Sequence, residues 1–199
     1  LLTALMVGVL GTFAGIVAGF YGGQTENAIM RLVDITYGIP FLPFAIVLIL
    51  VVGGGSIFNI VFAISLLLWR GTARVIRSEV ISIKEQPMIT AARASGASNR
   101  RIMLHHIFPK VLPTSVLYSV FAIGWAIIAE AGLSFIGLGD PDMLSWGKML
   151  NTAYVSNAIQ LDMWYWIVPP GACITLFVLS AYFVSQGIEE VVNPQLRES

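Results

Sequence analysis

Apolar residues run along this chain in long blocks broken by short polar stretches, and the block lengths predict helices that cross a membrane. About 20 consecutive apolar residues span a bilayer as a helix. Five blocks meet or approach that length, at about residues 3–20, 35–52, 57–77, 111–138 and 164–184. In the first, Gly11, Gly15 and Gly19 share one helical face, where another helix backbone can approach closely. The second contains Pro40 and Pro43, which can kink it and create a hinge. "GGGS" at 53–56 is a turn. The third block is apolar only from Ile57 to Trp69. Arg70, Arg74 and Arg77 continue it on one face, which predicts a helix that projects from the membrane, its first arginine snorkelling to the headgroups. The fourth holds an acid, Glu130, and the fifth has Pro169 and Pro170 near its start. Trp164, Tyr165 and Trp166 open that last block with residue types that gather at a membrane–water interface.

Composition agrees with the pattern. Of 199 residues 57% are hydrophobic and 11% charged, where soluble domains carry about a quarter charged. An all-α polytopic membrane protein follows, with one transmembrane domain over residues 1–199. The net charge of zero hides a strong asymmetry, since eight of the 11 Lys and Arg residues lie between 70 and 110. Short loops rich in Lys and Arg face the cytoplasm. The 78–110 loop is therefore expected inside, together with residues 21–31 and the C-terminal "EEVVNPQLRES". The 53–56 turn and the 139–163 segment are expected outside. Residue 1 also falls outside, so an earlier helix is expected ahead of it. The basic loop flanks a membrane and needs no nucleic-acid partner. Cys173 is the single cysteine and cannot form an intrachain disulfide.

The cytoplasmic island contains "TAARASGASNRRIMLHHIFP" at 90–109. It reads as two short helices with a hinge. The first covers about 85–94, and Gly96 offers the left-handed conformation that ends a helix cheaply. Ser98 can cap the next helix by accepting from a free backbone N–H. Ile102, Met103, His106 and Ile107 form an apolar stripe on that helix. Pro109 predicts a boundary before the next span. The stripe faces the protein's own helices, the bilayer surface or a soluble partner. His105 and His106 are adjacent and point about 100° apart, so they do not share one ion, and no metal site is expected.

Three further features carry candidate chemistry. Glu130 lies 17 residues past Pro113, roughly 25 Å along a helix and toward the outer half of the membrane. Intramembrane acids are functional candidates by default, and the plain alternative is a structural acid bonded to a neighbouring helix. Arg31 and Asp34 are spaced for an ion pair on one helix surface. No G-x-x-x-x-G-K-[ST], H-E-x-x-H or G-x-S-x-G occurs, so no nucleotide-hydrolysing, metalloprotease or serine-hydrolase motif is present.

The island resembles the EAA loop of ABC-importer permeases. That pattern runs Glu-Ala-Ala, three residues, Gly, nine residues, Ile-x-Leu-Pro. Here Thr90-Ala91-Ala92 precede Gly96 by the same spacing, and His106-Ile107-Phe108-Pro109 close it. "MRLVDITYGIPFL" (30–42), "AEAGLSFIGLG" (129–139), "SWGKML" (145–150) and "NPQLRE" (193–198) are similar to the dipeptide/oligopeptide/nickel group, in particular its C-type subunit. Thr90 departs from the pattern, since a hydroxyl makes weaker bonds than the family's carboxylate.

The resemblance implies a type I permease fold lacking the family's first helix. It implies a non-catalytic subunit with no cofactor of its own, in a bacterial or archaeal inner membrane. ATP and Mg would sit on two cytoplasmic ATPase subunits, which receive residues 86–107. Thr90, Ala91, Ala92, Gly96, Ser98, Arg100, Arg101, Ile102, Met103, Ile107 and Pro109 carry that contact in this expectation, with Ile102, Met103 and Ile107 giving its apolar part. A second permease chain, related but different, completes the pathway. Glu130, Pro40 and Pro43 would belong to the pathway or the subunit seam. An extracytoplasmic binding protein would dock on 139–163. Peptides lead as cargo, followed by nickel chelates, glutathione and other small solutes. A stand-alone channel or secondary transporter would want paired intramembrane charges or broken helices at a central ion site. An intramembrane enzyme would want a nucleophile–base motif.

Overall fold

The computed structural model describes residues 1–192, with side chains through Glu189. The "NPQLRE" stretch lies outside the described residues. The helices are α1 (Leu2–Tyr21), α2 (Gly23–Gly38), α3 (Phe41–Val51), α4 (Ile57–Lys84), α5 (Pro87–Ala94), α6 (Asn99–Ile102), α7 (Phe108–Phe135), α8 (Trp146–Val155) and α9 (Trp164–Val192). A π-helical turn, Met103–Ile107, joins α6 to α7 without a break. Among the described residues there is no strand. Among the described residues, four helices are long and apolar enough to cross a membrane: α1, α4, the continuous Asn99–Phe135 and α9. The pair α2 and α3 makes a fifth if it counts as one broken span.

The second block thus forms two helices and not one kinked helix over 35–52. The cause is local. Ile39 precedes a proline and takes the extended conformation (φ −87°, ψ 125°) that the pyrrolidine ring enforces. Pro40 then stands as the extended residue that opens α3. Pro43 lies in the first turn of α3, where a missing N–H costs no helical bond. Neither proline kinks a helix interior.

Pro109 does not mark a boundary either. Just before it, Phe108 N–H bonds the Met103 carbonyl, a wider turn than the α-helix makes. The π turn lets the chain run through a residue with no N–H to give. Most of α2 is polar and precedes the second block, and the short α8 is additional to the five apolar blocks.

The chain divides into two compact units, neither a single stretch of sequence. The first comprises Leu1–Ala4, Pro40–Leu67 and Val120–Gln186. Here α8 lies tight on α7, since a Cβ on Gly147 would strike the Ala131 backbone. Trp146 packs against Phe177 of α9 with ring centroids 6.1 Å apart. Asp140 closes one end of α4, its carboxylate accepting from the Ile57 N–H at 2.9 Å and the Asp142 N–H at 3.0 Å. Those two bonds hold its carboxyl below the usual carboxylate range.

Among the described residues, the second unit comprises Leu5–Ile39, Leu68–Ser119 and residues 187–192. Its spine is α1 against α4. A Cβ on Gly15 would lie 2.7 Å from the Ile76 Cβ, and one on Gly19 would lie 2.8 Å from the Arg77 carbonyl oxygen. The glycine face is therefore filled by α4 of the same chain. Thr12 and Ser115, both buried, share a hydrogen bond.

Candidate functional site

The 86–107 hairpin lies within the second unit, and local backbone rules build it. Gln86 is extended, and Pro87 supplies the first helical position, where a missing N–H is harmless. At the far end of α5, Gly96 N–H bonds the Arg93 carbonyl at 2.9 Å and Ala97 N–H bonds the Ala92 carbonyl at 3.0 Å. Gly96 has φ +80°, and a Cβ there would meet nothing within 4 Å. The glycine is thus required for its left-handed conformation and not for space. Ser98 Oγ accepts from Arg101 N–H at 3.4 Å and starts α6. The sequence placed both the hinge and the cap at these residues.

One face of the hairpin is internal. Ile89, Ile102 and Ile107 are fully buried, in one core with Phe20 of α1, Ile76 and Val80 of α4 and Val111 of α7. Met103, Ala92 and Ala97 pack at its edge. This corrects the expected apolar contact, because Ile102 and Ile107 face the protein's own helices and leave nothing for a partner. Full burial of each is worth roughly 2 kcal/mol, which fixes the hairpin to α1 and α4. Two polar contacts tighten it. The Arg93 guanidinium lies 5.6 Å from the Phe20 ring centroid. The Lys110 ammonium donates to Gln86 Oε1 at 2.5 Å and joins the start of α5 to the start of α7. Neither contact was visible in the sequence, which gives residue types but not which long side chains meet.

The other face is open. Thr90, Ala91, Gly96, Ser98, Arg100 and Arg101 are exposed, and so are Pro109 and His105. Met88 and Leu104 add apolar side chains there, 40% and 50% exposed. Among the described residues, the Thr90 hydroxyl has no partner.

Beside the hairpin, α2 lies along α4 through charges. Arg77 donates to the Glu26 carboxylate from Nε at 2.8 Å and from a terminal nitrogen. Asp34 pairs with Arg74 and not with Arg31 as its spacing suggests. Arg70 is held by α2. Its guanidinium donates to the Thr36 carbonyl and stacks 4.5 Å from the Tyr37 ring, whose centroid is also 4.4 Å from Arg74.

In the first unit, Glu130 on α7 is half-buried and accepts from Ser134 Oγ at 2.5 Å. It borders a cavity of about 370 Å³ lined by Ile127, Leu144, Ser145, Trp146 and Met149. Pro40 and Pro43 do not line it.

These elements define an α-helical multi-pass membrane protein with a helical hairpin between two of its apolar helices. Residues 11–198 match the family described as binding-protein-dependent transport system inner membrane component, and the chain belongs to that family. It is 33% identical over 192 residues to the oligopeptide transport system permease protein OppC of Haemophilus influenzae, covering 94% of this chain and 60% of that one. It is 34% identical to the dipeptide transport system permease protein DppC of Alkalihalophilus pseudofirmus, covering 95% and 61%. It is 32% identical to the glutathione transport system permease protein GsiD of Pectobacterium atrosepticum, covering 98% and 64%. The chain thus spans 60–66% of the length of the curated relatives it matches. A chain of the MetNI methionine ABC transporter, in inward-facing form, superposes with a TM-score of 0.72 at 18% identity, covering 96% of this chain and 89% of that one. The fold is the one that chain has.

Proposed function

We propose that this chain serves as a transmembrane subunit of an ATP-driven, binding-protein-dependent importer for short peptides or similar small solutes. The observation that carries the proposal is the two-faced hairpin. Its inner face shares one core with α1, α4 and α7, and its outer face is open. A partner seated on that outer face would move the ends of three long helices together. The subunit itself hydrolyses nothing. Two cytoplasmic ATPase subunits, holding ATP and Mg, receive the hairpin, and their closure drives alternating access. In this reading the 70–110 region and the C-terminus are cytoplasmic, and 139–163 meets an extracytoplasmic binding protein. A second, different permease chain encloses the other half of the pathway.

Thr90, Ala91, Gly96, Ser98, Arg100 and Arg101 carry the docking, with Met88 and Leu104 supplying its apolar part. The sidedness follows the excess of Lys and Arg around the hairpin. Peptides are the first cargo to test, because the oligopeptide and dipeptide permeases are close in sequence. The glutathione permease at 32% identity keeps other small solutes in view. Affinity purification of the full-length protein from its native membrane tests the reading. An ATPase subunit should be retained by the wild type and lost when the outer face is changed by Arg100→Glu with Arg101→Glu. Transport that persists without ATP would sink the proposal.

A further inference from the structure

The cavity beside Glu130 has the chemistry of a cation receptor. Among the described residues, Ser134 is the one partner of the Glu130 carboxylate, through Oε1. The basic side chain of α8, Lys148, is used elsewhere, donating to the Pro141 carbonyl at 2.5 Å and to the Met143 carbonyl at 3.5 Å. The carboxylate therefore opens onto the cavity unneutralised by a described cation. Ser145 lies on the same wall, its hydroxyl oxygen accepting from Lys148 N–H at 3.2 Å with a second lone pair to spare. Trp146 also lines the cavity, while Ile127, Leu144 and Met149 make the remainder apolar.

We infer that Glu130, Ser145 and Trp146 form a subsite for a primary ammonium group on the transported solute, set beside an apolar substituent. The inference rests on the transport reading above. Two oxygen acceptors and one aromatic side chain suit –NH3⁺, which needs acceptors and is attracted to a ring. A divalent ion wants several oxygen or nitrogen ligands, and no group of three metal-ligating side chains occurs among the described residues. A volume of about 370 Å³ falls within the range of small-molecule pockets and suits the first residue of a peptide. An apolar surround strengthens a single charge pair relative to water.

The test uses the full-length permease purified with its ATPase subunits and second permease, without the binding protein. Calorimetric titration compares trialanine with N-acetyl-trialanine, which lacks the ammonium. The wild type should bind trialanine at least about tenfold more tightly, the scale of one charged hydrogen bond. Glu130→Gln should lose at least about tenfold for trialanine and treat the two peptides alike. A wild type that binds both equally, or neither, overturns the subsite whatever the variant does. A Glu130→Gln complex that keeps the wild-type preference also overturns it. Loss of the second permease from the Glu130→Gln complex does so too, since the carboxylate then holds a subunit seam. ATP-driven uptake with the binding protein is measured in parallel. Uptake without an amine preference condemns the subsite alone, and no ATP-driven uptake of any peptide condemns the transport reading.

Discussion

Ala97 donates its backbone N–H to the Ala92 carbonyl at 3.0 Å across a glycine at φ +80°. That bond sets the angle between α5 and α6, and it needs a residue at 96 that accepts the left-handed region. An ordinary L residue there costs roughly 1–2 kcal/mol, and a β-branched one more. Asn tolerates the conformation. Gly96→Asn should therefore leave transport near wild type. Gly96→Val should leave the protein in the membrane while ATP hydrolysis continues without solute movement. Reconstituted uptake measured beside ATPase activity checks this. Normal transport by Gly96→Val would remove the hinge from the mechanism.

What the sequence discloses depends on how far apart the interacting residues lie. Gly96 and Ser98 act within four residues of themselves, and both were legible. The long apolar blocks were legible too, because length and composition decide them. The stripe of Ile102, Met103 and Ile107 was visible as a stripe, but periodicity says only that one face is apolar. What covers it comes from α1 and α4, brought there by tertiary packing. Arg70, Arg74 and Arg77 stood out by spacing, yet their partners lie 34 to 51 residues away on α2. The start of α2, at 23–30, reads as a loop because its sequence is polar, until α4 supplies the opposing charge to Glu26. Pro40 was seen as a kink and proved to be a break, since its effect falls on Ile39.

The pair Glu26–Arg77 is half-buried and doubly hydrogen-bonded, so it should contribute more than an exposed pair. Arg77→Ala should destabilise the protein by about 1–3 kcal/mol, as loss of a hydrogen-bonded charge pair does. Arg77→Lys should recover only part, because an ammonium lacks the guanidinium fork. The exposed Arg74–Asp34 pair should cost about 1 kcal/mol or less when broken. Double-mutant cycles by thermal unfolding in detergent measure both couplings, and equal values would contradict the difference in burial.

Asp140 gives a pH dependence with a defined sign. Its carboxyl is held below the ordinary range by the Ile57 and Asp142 N–H groups. A depressed folded value means that the stabilisation is fully present above the unfolded value, about 3.9. It is lost as pH falls through the folded value below that. Stability at neutral pH should therefore be insensitive to small pH changes at this site. Asp140→Ala should lower Tm at pH 7, and the gap from wild type should close as the solution is acidified. A gap that widens on acidification would reverse the assignment.

The hairpin's two faces make separable predictions, and the separation tests the proposed coupling most directly. Ile102 is fully buried, so Ile102→Ala removes buried methylenes and leaves a cavity against α1 and α4. Such truncations cost about 2–5 kcal/mol, and the loss should appear as a lower Tm of the permease itself. Leu104 is two residues away on the open face, 50% exposed. Leu104→Ala should change Tm little, since exposed truncations usually stay within about 0.5 kcal/mol. If the open face receives the ATPase subunit, Leu104→Ala should weaken retention of that subunit on an affinity column while leaving the permease folded. Ile102→Ala should then affect retention only to the extent that it unfolds the hairpin, and a cavity-filling Ile102→Leu should restore both stability and retention. The opposite pattern, a stable Ile102→Ala with lost binding and a silent Leu104→Ala, would put the partner on the inner face and overturn the packing of the hairpin against α1.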